Sequence, residues 1–188
     1  MNWVRPDRGE LYCFIGPPLI VSFRDFCGMN DEQAMEAVRL YRERYADKGL
    51  FENVPYEGIE QTLRRLKLSG RRLAVASSKP EVFASRILDK FSLSQYFDFI
   101  GGAELDGSRD DKLDVIEYTL ESLGKPRCNE VLMVGDRFYD AEGAKAAGID
   151  SMGVLYGFGS EKELVKAGTN YIAHSPQEIA DIILDENN

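Results

Sequence analysis

Apolar positions in the first third of the chain recur at helical spacing. Asn30 followed by Gln33 has the spacing of a capping box, which predicts that a helix begins there. The stripe that follows consists of Ala34, Val38, Tyr41 and Tyr45. Such a stripe is typical of a core face, although the two tyrosines could also stack on a planar ligand. A Gly- and Pro-containing loop over 49–55 separates this helix from the next one.

The second predicted helix carries Ile59, Leu63 and Leu66 and ends at Ser69-Gly70. Beyond residue 70 short apolar runs alternate with amphipathic stretches. The runs predict strands at 73–76, 97–101, 131–134, 152–156 and 171–173. Helices are predicted from about Pro80, from Lys112, in the alanine-rich stretch before Gly148, after Ser160 with its Glu163, and from Ser175-Pro176. Strands alternating with helices indicate an α/β fold with a Rossmann-like parallel sheet and flanking helices.

Composition narrows the class of protein. The 188 residues include 44% hydrophobic residues and carry 32 acidic against 23 basic side chains, for a net charge of −9. This excludes a disordered or fibrous chain, and the negative charge argues against nucleic acid or an anionic membrane as a partner. The sequence has neither an 18-residue apolar run nor a signal peptide. Cys13, Cys27 and Cys128 are expected to be reduced, buried thiols in a cytoplasmic protein.

Polar residues follow the predicted strands at the edge where α/β sheets bind ligands. They are Ser77, Ser78 and Lys79 after one strand, and Gly135, Asp136 and Asp140 after another; Lys112 opens the helix between them. Two carboxylates suit Mg²⁺, and a hydroxyl, an amide and a lysine suit phosphate. Each also has a plain structural interpretation: a strand-end serine often caps a turn, a lysine in a first helical turn is often solvated, and an aspartate at a helix start is favoured by the helix dipole.

Three segments resemble the second, third and fourth motifs of the haloacid dehalogenase (HAD) superfamily of phosphohydrolases, in the right order. They are LAVASSKPEVF, GSRDDKLDVIEYTLESLG and VLMVGDRFYDAEGAKAAGI. FIGPPL, ENVPYEGI and YGFGSEKEL resemble its phosphoglycolate phosphatase-like branch, especially members described as 5′-nucleotidases. The resemblance implies a small helical cap over residues 10–57 and an α/β core over 58–188.

The same resemblance implies roles for individual residues. Ser77 and the Ser78 amide would bind substrate phosphate, and Lys112 would neutralise phosphate and nucleophile during catalysis. Asp136 and Asp140 would hold Mg²⁺, with their oxygens within about 4–6 Å of one metal position. The partner would be a small phosphorylated metabolite.

The family's first motif, an apolar strand ending in D-x-D-G-T, does not occur in these 188 residues. The earliest aspartate, Asp7, has no apolar strand before it and no second aspartate two positions on. We therefore expect an HAD-like core whose first strand and nucleophile are missing. Because that motif also supplies a metal ligand in the family, Mg²⁺ binding should be weakened.

The sequence is compatible with three functions, each of a different class. The first is Mg²⁺-dependent hydrolysis of a small phosphomonoester through an aspartyl-phosphate in the complete family member. Nucleoside 5′-monophosphate and phosphoglycolate are both compatible with the resemblance. The segments YGFGSEKEL and ENVPYEGI slightly favour the nucleotide. The alternatives are a noncatalytic phospholigand-binding or regulatory remnant, and a structural protein that uses its helical first third as an interface.

The missing strand would lie between the strands that end at Ala76 and Val134, leaving them about 9.6 Å apart. An open slot exposes unsatisfied backbone groups at about 1–3 kcal/mol each, so a fold that keeps it should be marginal. We expect one of three rescues. The two strands pair directly, the β-prone segment 11–15 fills the slot, or a second copy does so as a homodimer or by strand exchange.

Overall fold

The computed structural model describes residues 8–185, with side chains from residue 11 onward. It divides the chain into two compact units, one up to Gly49 and one from Leu50. Asp7, the earliest aspartate of the sequence, lies outside the described residues.

The first unit is helical, as predicted. A 3₁₀ helix (Arg8–Phe14) precedes α1 (Leu19–Cys27) and α2 (Asp31–Asp47). The predicted capping box begins α2: the Gln33 amide donates to Asn30 Oδ1 at 3.0 Å, and the Asn30 amide donates to Gln33 Oε1 at 3.2 Å. Two backbone donors that a helix leaves unpaired are thereby satisfied.

The predicted apolar stripe of α2 divides into two parts. Ala34 and Val38 are buried, as expected for a core face. Tyr41 is exposed, and its ring stacks on that of Tyr45 with centroids 5.3 Å apart and planes 15° apart. The core interpretation therefore holds for Ala34 and Val38, whereas Tyr41 stacks on Tyr45 at a position exposed to solvent.

The second unit has the predicted alternation of strands and helices. Its strands are β1 (Ala74–Pro80), β2 (Phe99–Ala103), β3 (Leu132–Gly135), β4 (Asp150–Val154) and β5 (Tyr171–Ala173). Its helices are α3 (Ile59–Leu68), α4 (Glu81–Lys90), α5 (Lys112–Ser122), α6 (Phe138–Ala146), α7 (Glu161–Ala167) and α8 (Pro176–Asp185). The α/β class with parallel strands and flanking helices is confirmed.

Strand boundaries differ from the predicted ones in three places. β1 continues to Pro80 instead of ending at residue 76, and β2 and β4 are displaced by two residues, β2 later and β4 earlier. Strands pair through backbone hydrogen bonds, so a change from apolar to polar side chains does not mark the end of a strand. Ser77 thus lies within β1, opposite Gly102, and Asp150 begins β4 opposite Leu132.

The strands form two separate parallel sheets among the described residues. One contains β1 and β2, and the other has the order β3-β4-β5. Helix α5 packs against β1, β2 and α6. Ala76 of β1 and Met133 of β3 pack against one apolar cluster that contains Ile116 of α5. The same helix therefore covers elements of both sheets.

The second apolar cluster combines the other sheet with α3 and α8. It contains Leu66 of α3, Met152 of β4 and Ile179 of α8, all buried. The Thr62 hydroxyl donates to the Pro176 carbonyl at 2.8 Å, which fixes α3 against the start of α8. The two clusters give the parallel strands a helical layer on each side, as such sheets require.

One edge of β1 has no partner strand within residues 8–185. The Leu73 carbonyl accepts from the Asp98 amide at 2.7 Å, so odd-numbered residues of β1 point their backbone groups toward β2. Because backbone groups alternate along a strand, those of Ala74 and Ala76 point to the opposite edge. There the Ala76 carbonyl accepts from Lys112 Nζ at 2.8 Å.

Burial agrees with two open edges. Every residue of β1 and β3 is only partly buried, whereas the last three residues of β2 and the last four of β4 are buried. Direct pairing of β1 with β3, the first of the three expected rescues, is wrong, because the two strands belong to different sheets.

The expected internal filler is also wrong. Residues 8–14 form the 3₁₀ helix and no strand, so the segment 11–15 does not pair with β1 or β3. The apolar, β-prone side chains of this segment favour a strand, but its backbone turns as a 3₁₀ helix. Filling of the slot by a second copy, and a marginal fold, stay predictions.

Amide hydrogen exchange distinguishes an open edge from a paired one. We expect the Ala74 and Ala76 amides to exchange much faster than the Val75 amide, because only the latter points toward β2. Two-dimensional NMR after transfer to heavy water measures all three amides in one sample. Equal protection of Ala76 and Val75 would show that the free edge of β1 is paired in solution.

Two sequence-based predictions concern the cysteine side chains and membrane-spanning segments. Cys13, Cys27 and Cys128 are free thiols, as predicted, but none is buried: Cys13 and Cys27 are partly exposed and Cys128 is exposed. Cys128 begins a short 3₁₀ turn before β3, and its Sγ lies 4.0 Å from the Ala147 carbonyl oxygen at the end of α6. None of the helices within residues 8–185 combines the length and the apolar character needed to cross a lipid bilayer.

Candidate active site

The end of β1 bulges away from β2. Ser77 is paired with Gly102 and Pro80 with Ala103, so Ser78 and Lys79 are two extra residues on β1. A bulge leaves its extra residues outside the regular ladder and re-aims their groups, and it is common next to active sites. The bulge thus presents the segment predicted to bind phosphate.

Gly102 allows this bulge to lie directly on β2. A Cβ at Gly102 would lie 2.6 Å from the Lys79 carbonyl oxygen and 2.6 Å from the Glu81 nitrogen. Both are backbone atoms that cannot rotate away. Only glycine permits so close an approach between β2 and the bulge.

The predicted serine holds the bulge in shape, since Ser77 Oγ accepts from the Lys79 amide at 3.1 Å. The expectation of a strand-end serine that caps a turn is therefore met, while its role toward phosphate stays a prediction. Lys79 was noted in the sequence but given no role. Its side chain is partly buried, and desolvation lowers its pKa. A bound anion beside this amine would favour its charged form.

Lys112 connects β1 with α6. It is the first residue of α5, whose N-cap Asp111 accepts from the Leu113 amide at 2.8 Å. Lys112 Nζ donates to the Ala76 carbonyl at 2.8 Å and lies 2.7 Å from Asp140 Oδ1. The side chains of Lys112 and Asp140 are only 12% and 16% exposed. The alternative interpretation of Lys112 as a solvated helix-start lysine is therefore wrong, and the side chain is a shielded cation beside the serine bulge.

Asp140 is held on both of its carboxylate oxygens. While Oδ1 faces Lys112, Oδ2 accepts from the Arg137 amide at 3.1 Å. A Cβ at Gly135 would lie 2.3 Å from the Asp140 carboxylate, so glycine makes room for it at the end of β3. The structure therefore brings Asp140 together with Lys112, two of the predicted site residues.

Asp136 lies in the same β3–α6 turn but contacts a different loop. Its Oδ2 accepts from the Phe158 amide at 2.7 Å. A Cβ at Gly157 would lie 2.3 Å from the same oxygen, and one at Gly159 would lie 1.9 Å from the Asp136 carbonyl oxygen. The loop after β4 thus wraps around Asp136 and leaves no space for a side chain at either glycine.

The donor set fits a magnesium ion held by few protein ligands. Within residues 8–185 no group of three or more His, Cys, Asp or Glu side chains could hold a metal. Asp136 and Asp140 supply carboxylate oxygens, and Mg²⁺ typically takes one or two carboxylates and completes its shell with water and phosphate. The glycines that flank both carboxylates leave them room without a competing side chain.

Glu163 connects this turn to α7. The expected cap of α7 is present, because Ser160 Oγ accepts from the Glu163 amide at 3.2 Å. The Glu163 carboxylate, however, accepts from Arg137 Nε at 2.9 Å and from the Phe138 amide at 3.1 Å. Interpreting Glu163 only as part of a capping box concealed this contact with the candidate site.

We expect Glu163→Gln to lower the free energy of unfolding at pH 7 by about 1–2 kcal/mol, because a charge-assisted pair becomes a neutral one. Burial acts to raise the pKa of Glu163, but the bonds from Arg137 and Phe138 outweigh it and hold the pKa below 4.5. A lowered carboxyl pKa stabilises the fold above the unfolded value and loses that effect as pH falls.

The difference between wild type and Glu163→Gln should therefore be constant near neutrality and shrink below about pH 4.5. Urea unfolding at several pH values measures it. Glu142→Gln, on the exposed side of α6, is the matched control. A difference that does not change with pH would contradict a charge-dependent contact.

Comparison with known proteins identifies the family of this chain. Residues 2–154 match the family model described as haloacid dehalogenase-like hydrolase. The chain therefore belongs to the haloacid dehalogenase-like hydrolase family. A 5′-nucleotidase of Pseudomonas aeruginosa is 45% identical over 159 residues, which are 85% of this chain and 72% of that protein.

Two further relatives show how far the family extends. The tyrosine-protein kinase PtkA of Mycobacterium tuberculosis is 40% identical over 161 residues, 86% of this chain but only 54% of that protein. The crystal structure of a predicted phosphatase from Clostridium acetobutylicum superposes with a TM-score of 0.92 at 45% identity, covering 96% of this chain and 83% of the other. Relatives of similar identity thus carry different reaction names, and identity alone does not select the substrate.

Proposed function

We propose that this chain provides the phosphate- and metal-binding part of a Mg²⁺-dependent phosphatase that hydrolyses a small phosphomonoester. The observation that carries the proposal is the position of Lys112 Nζ, 2.8 Å from the Ala76 carbonyl and 2.7 Å from Asp140. A shielded cation between the serine bulge and a carboxylate is suited to an anion and a metal ion side by side.

The roles follow from the chemistry of each group. Ser77 and the Ser78 amide donate to phosphate oxygens, and Lys112 neutralises their charge. Asp136 and Asp140 hold Mg²⁺, which when bound neutralises charge that builds up on the phosphoryl oxygens. The substrate is a nucleoside 5′-monophosphate or phosphoglycolate, and the reaction passes through an aspartyl-phosphate in the complete family member.

The attacking carboxylate is assigned to no residue of this sequence. The 188 residues hold no D-x-D-G-T, and both described carboxylates of the site are engaged by hydrogen bonds. This favours a second candidate function, a noncatalytic phospholigand-binding or regulatory protein. Both functions need the same anion pocket and differ only in turnover.

Calorimetric titration with inorganic phosphate and Mg²⁺ tests the shared pocket. We expect Lys112→Met to weaken phosphate binding at least tenfold, because it removes the cation beside the bulge. Lys145→Met, at an exposed position in α6, is the matched control. Because Lys112 also forms an ion pair with Asp140, its loss could destabilise the fold, so thermal unfolding of each variant has to be measured. Ser77→Ala is a second variant that removes less. Unchanged phosphate affinity in Lys112→Met and Ser77→Ala would refute the proposal.

A further inference from the structure

Three aromatic side chains lie in or next to the loop that contacts Asp136. Tyr56 follows Pro55 in the segment before α3, and Tyr156 and Phe158 belong to the loop after β4. The rings of Tyr56 and Tyr156 meet edge to face, with centroids 4.9 Å apart and planes 70° apart. The Phe158 amide bonds Asp136 Oδ2 at 2.7 Å, so this aromatic group is continuous with the candidate metal site.

The three rings differ in how firmly they are held. Tyr156 is partly buried and packs against the apolar cluster of β4, β5 and α8. Tyr56 is 46% exposed and Phe158 is 54% exposed. Tyr56 packs its ring on the anchored Tyr156, and Phe158 follows two residues later in the same loop, with about half of its side chain exposed. Aromatic side chains of this kind combine a large apolar ring with a position beside a charged site.

Electrostatics also place the tyrosines near Asp136. Burial, the neighbouring Tyr56 and the charge of Asp136 together raise the pKa of Tyr156 to about 12. The hydroxyl therefore stays neutral at physiological pH. The surface consequently offers ring faces and a neutral donor.

Two cations beside this loop already pair with carboxylates: Lys112 lies against Asp140, and Arg137 lies against Glu163. The face of an aromatic ring carries partial negative charge, so the carboxylate of phosphoglycolate would not be stabilised by these rings. A flat, uncharged group would meet surfaces on which it can stack.

We propose that Tyr56, Tyr156 and Phe158 form the subsite for the organic part of the substrate, and that this part is the planar base of a nucleoside 5′-monophosphate. The inference rests on the proposed phosphate site, since the base would be positioned relative to a phosphate held by Lys112 and the β1 bulge. It selects the nucleotide over phosphoglycolate and assigns the selection to two loops of the α/β unit.

Calorimetry on the 188-residue chain with Mg²⁺ tests the subsite, using AMP, adenosine, phosphoglycolate and inorganic phosphate as probes. We expect AMP to bind about tenfold more tightly than inorganic phosphate or phosphoglycolate, as stacking on aromatic side chains allows. Phe158→Leu and Tyr156→Leu should each weaken AMP about tenfold and leave inorganic phosphate unchanged. Tyr96→Leu removes an aromatic ring whose hydroxyl bonds Glu60, and serves as the control.

The outcomes separate the two proposals. Normal phosphate binding with no effect of either variant on AMP overturns the aromatic subsite and leaves the phosphate site intact. Equal or tighter binding of phosphoglycolate also overturns the subsite. Adenosine binding that both variants abolish, without any phosphate binding, supports the subsite and refutes the phosphate site. Because Tyr156 is partly buried and could affect folding, the exposed Phe158 keeps the test decisive.

Discussion

A polypeptide of these 188 residues is expected to turn over an aryl phosphate no faster than its Asp136→Ala variant, with or without Mg²⁺. Positioning and charge neutralisation by Lys112, Asp136 and Asp140 can be kept while the attacking group is absent. Formation of an aspartyl-phosphate requires the carboxylate itself. Loss of a covalent nucleophile lowers kcat by on the order of 10⁴-fold or more in other enzymes.

A complementary experiment adds the D-x-D-G-T strand to the polypeptide. A version in which an apolar strand ending in D-x-D-G-T precedes residue 1 is expected to gain turnover that depends on Mg²⁺. The same extension with asparagine at both aspartate positions is the control, because it provides the strand without the carboxylates. Turnover by the original polypeptide that disappears in Asp136→Ala would show that a residue of this sequence attacks the phosphorus.

Gly102→Ala is expected to destabilise the second unit by about 3 kcal/mol, the upper end of what overpacking usually costs. The added Cβ would lie 2.6 Å from three backbone atoms: Glu81 Cα, Glu81 N and the Lys79 carbonyl oxygen. Relief requires that β2 and the β1 bulge separate. Because the bulge carries Ser78 and Lys79, phosphate affinity should fall together with stability.

Urea unfolding followed by circular dichroism measures the effect on stability. Gly49→Ala is the control, since its Cβ would meet only the side chains of Tyr45 and Arg44, at 3.0 and 3.1 Å, which can move. If Gly102→Ala unfolds at the same urea concentration as wild type, the close packing of β2 on the bulge does not exist in solution.

The sequence was most informative where structure is decided locally. Three predicted helix ends agree with the structure because contacts within one turn fix them. They involve Asn30 with Gln33, Ser160 before α7, and Gly148 after α6. The order of strands and helices follows from the apolar runs in the same way. Helix ends and the alternation of strands with helices recur throughout α/β proteins. They therefore identify the fold class but not the details of the site.

The site depended on contacts that no local pattern encodes. The β1 bulge requires Gly102, which lies more than twenty residues further along the chain. Lys112 pairs with a carbonyl of β1 and a carboxylate of α6, and a lysine at a helix start gives no indication of either. Glu163 had a complete local explanation as a capping residue, which hid its bond to Arg137.

The division of the strands into two sheets has a consequence for how the molecule unfolds. The first sheet is built from residues 74–103 and the second from 132–173, so the paired strands of each sheet lie close together in sequence. Helix α5, which lies between them in sequence, packs against β1 and β2, and its Ile116 shares an apolar cluster with Met133 of β3. Because the two sheets share this core, we expect them to unfold in a single cooperative transition, although their strand pairs are local in sequence.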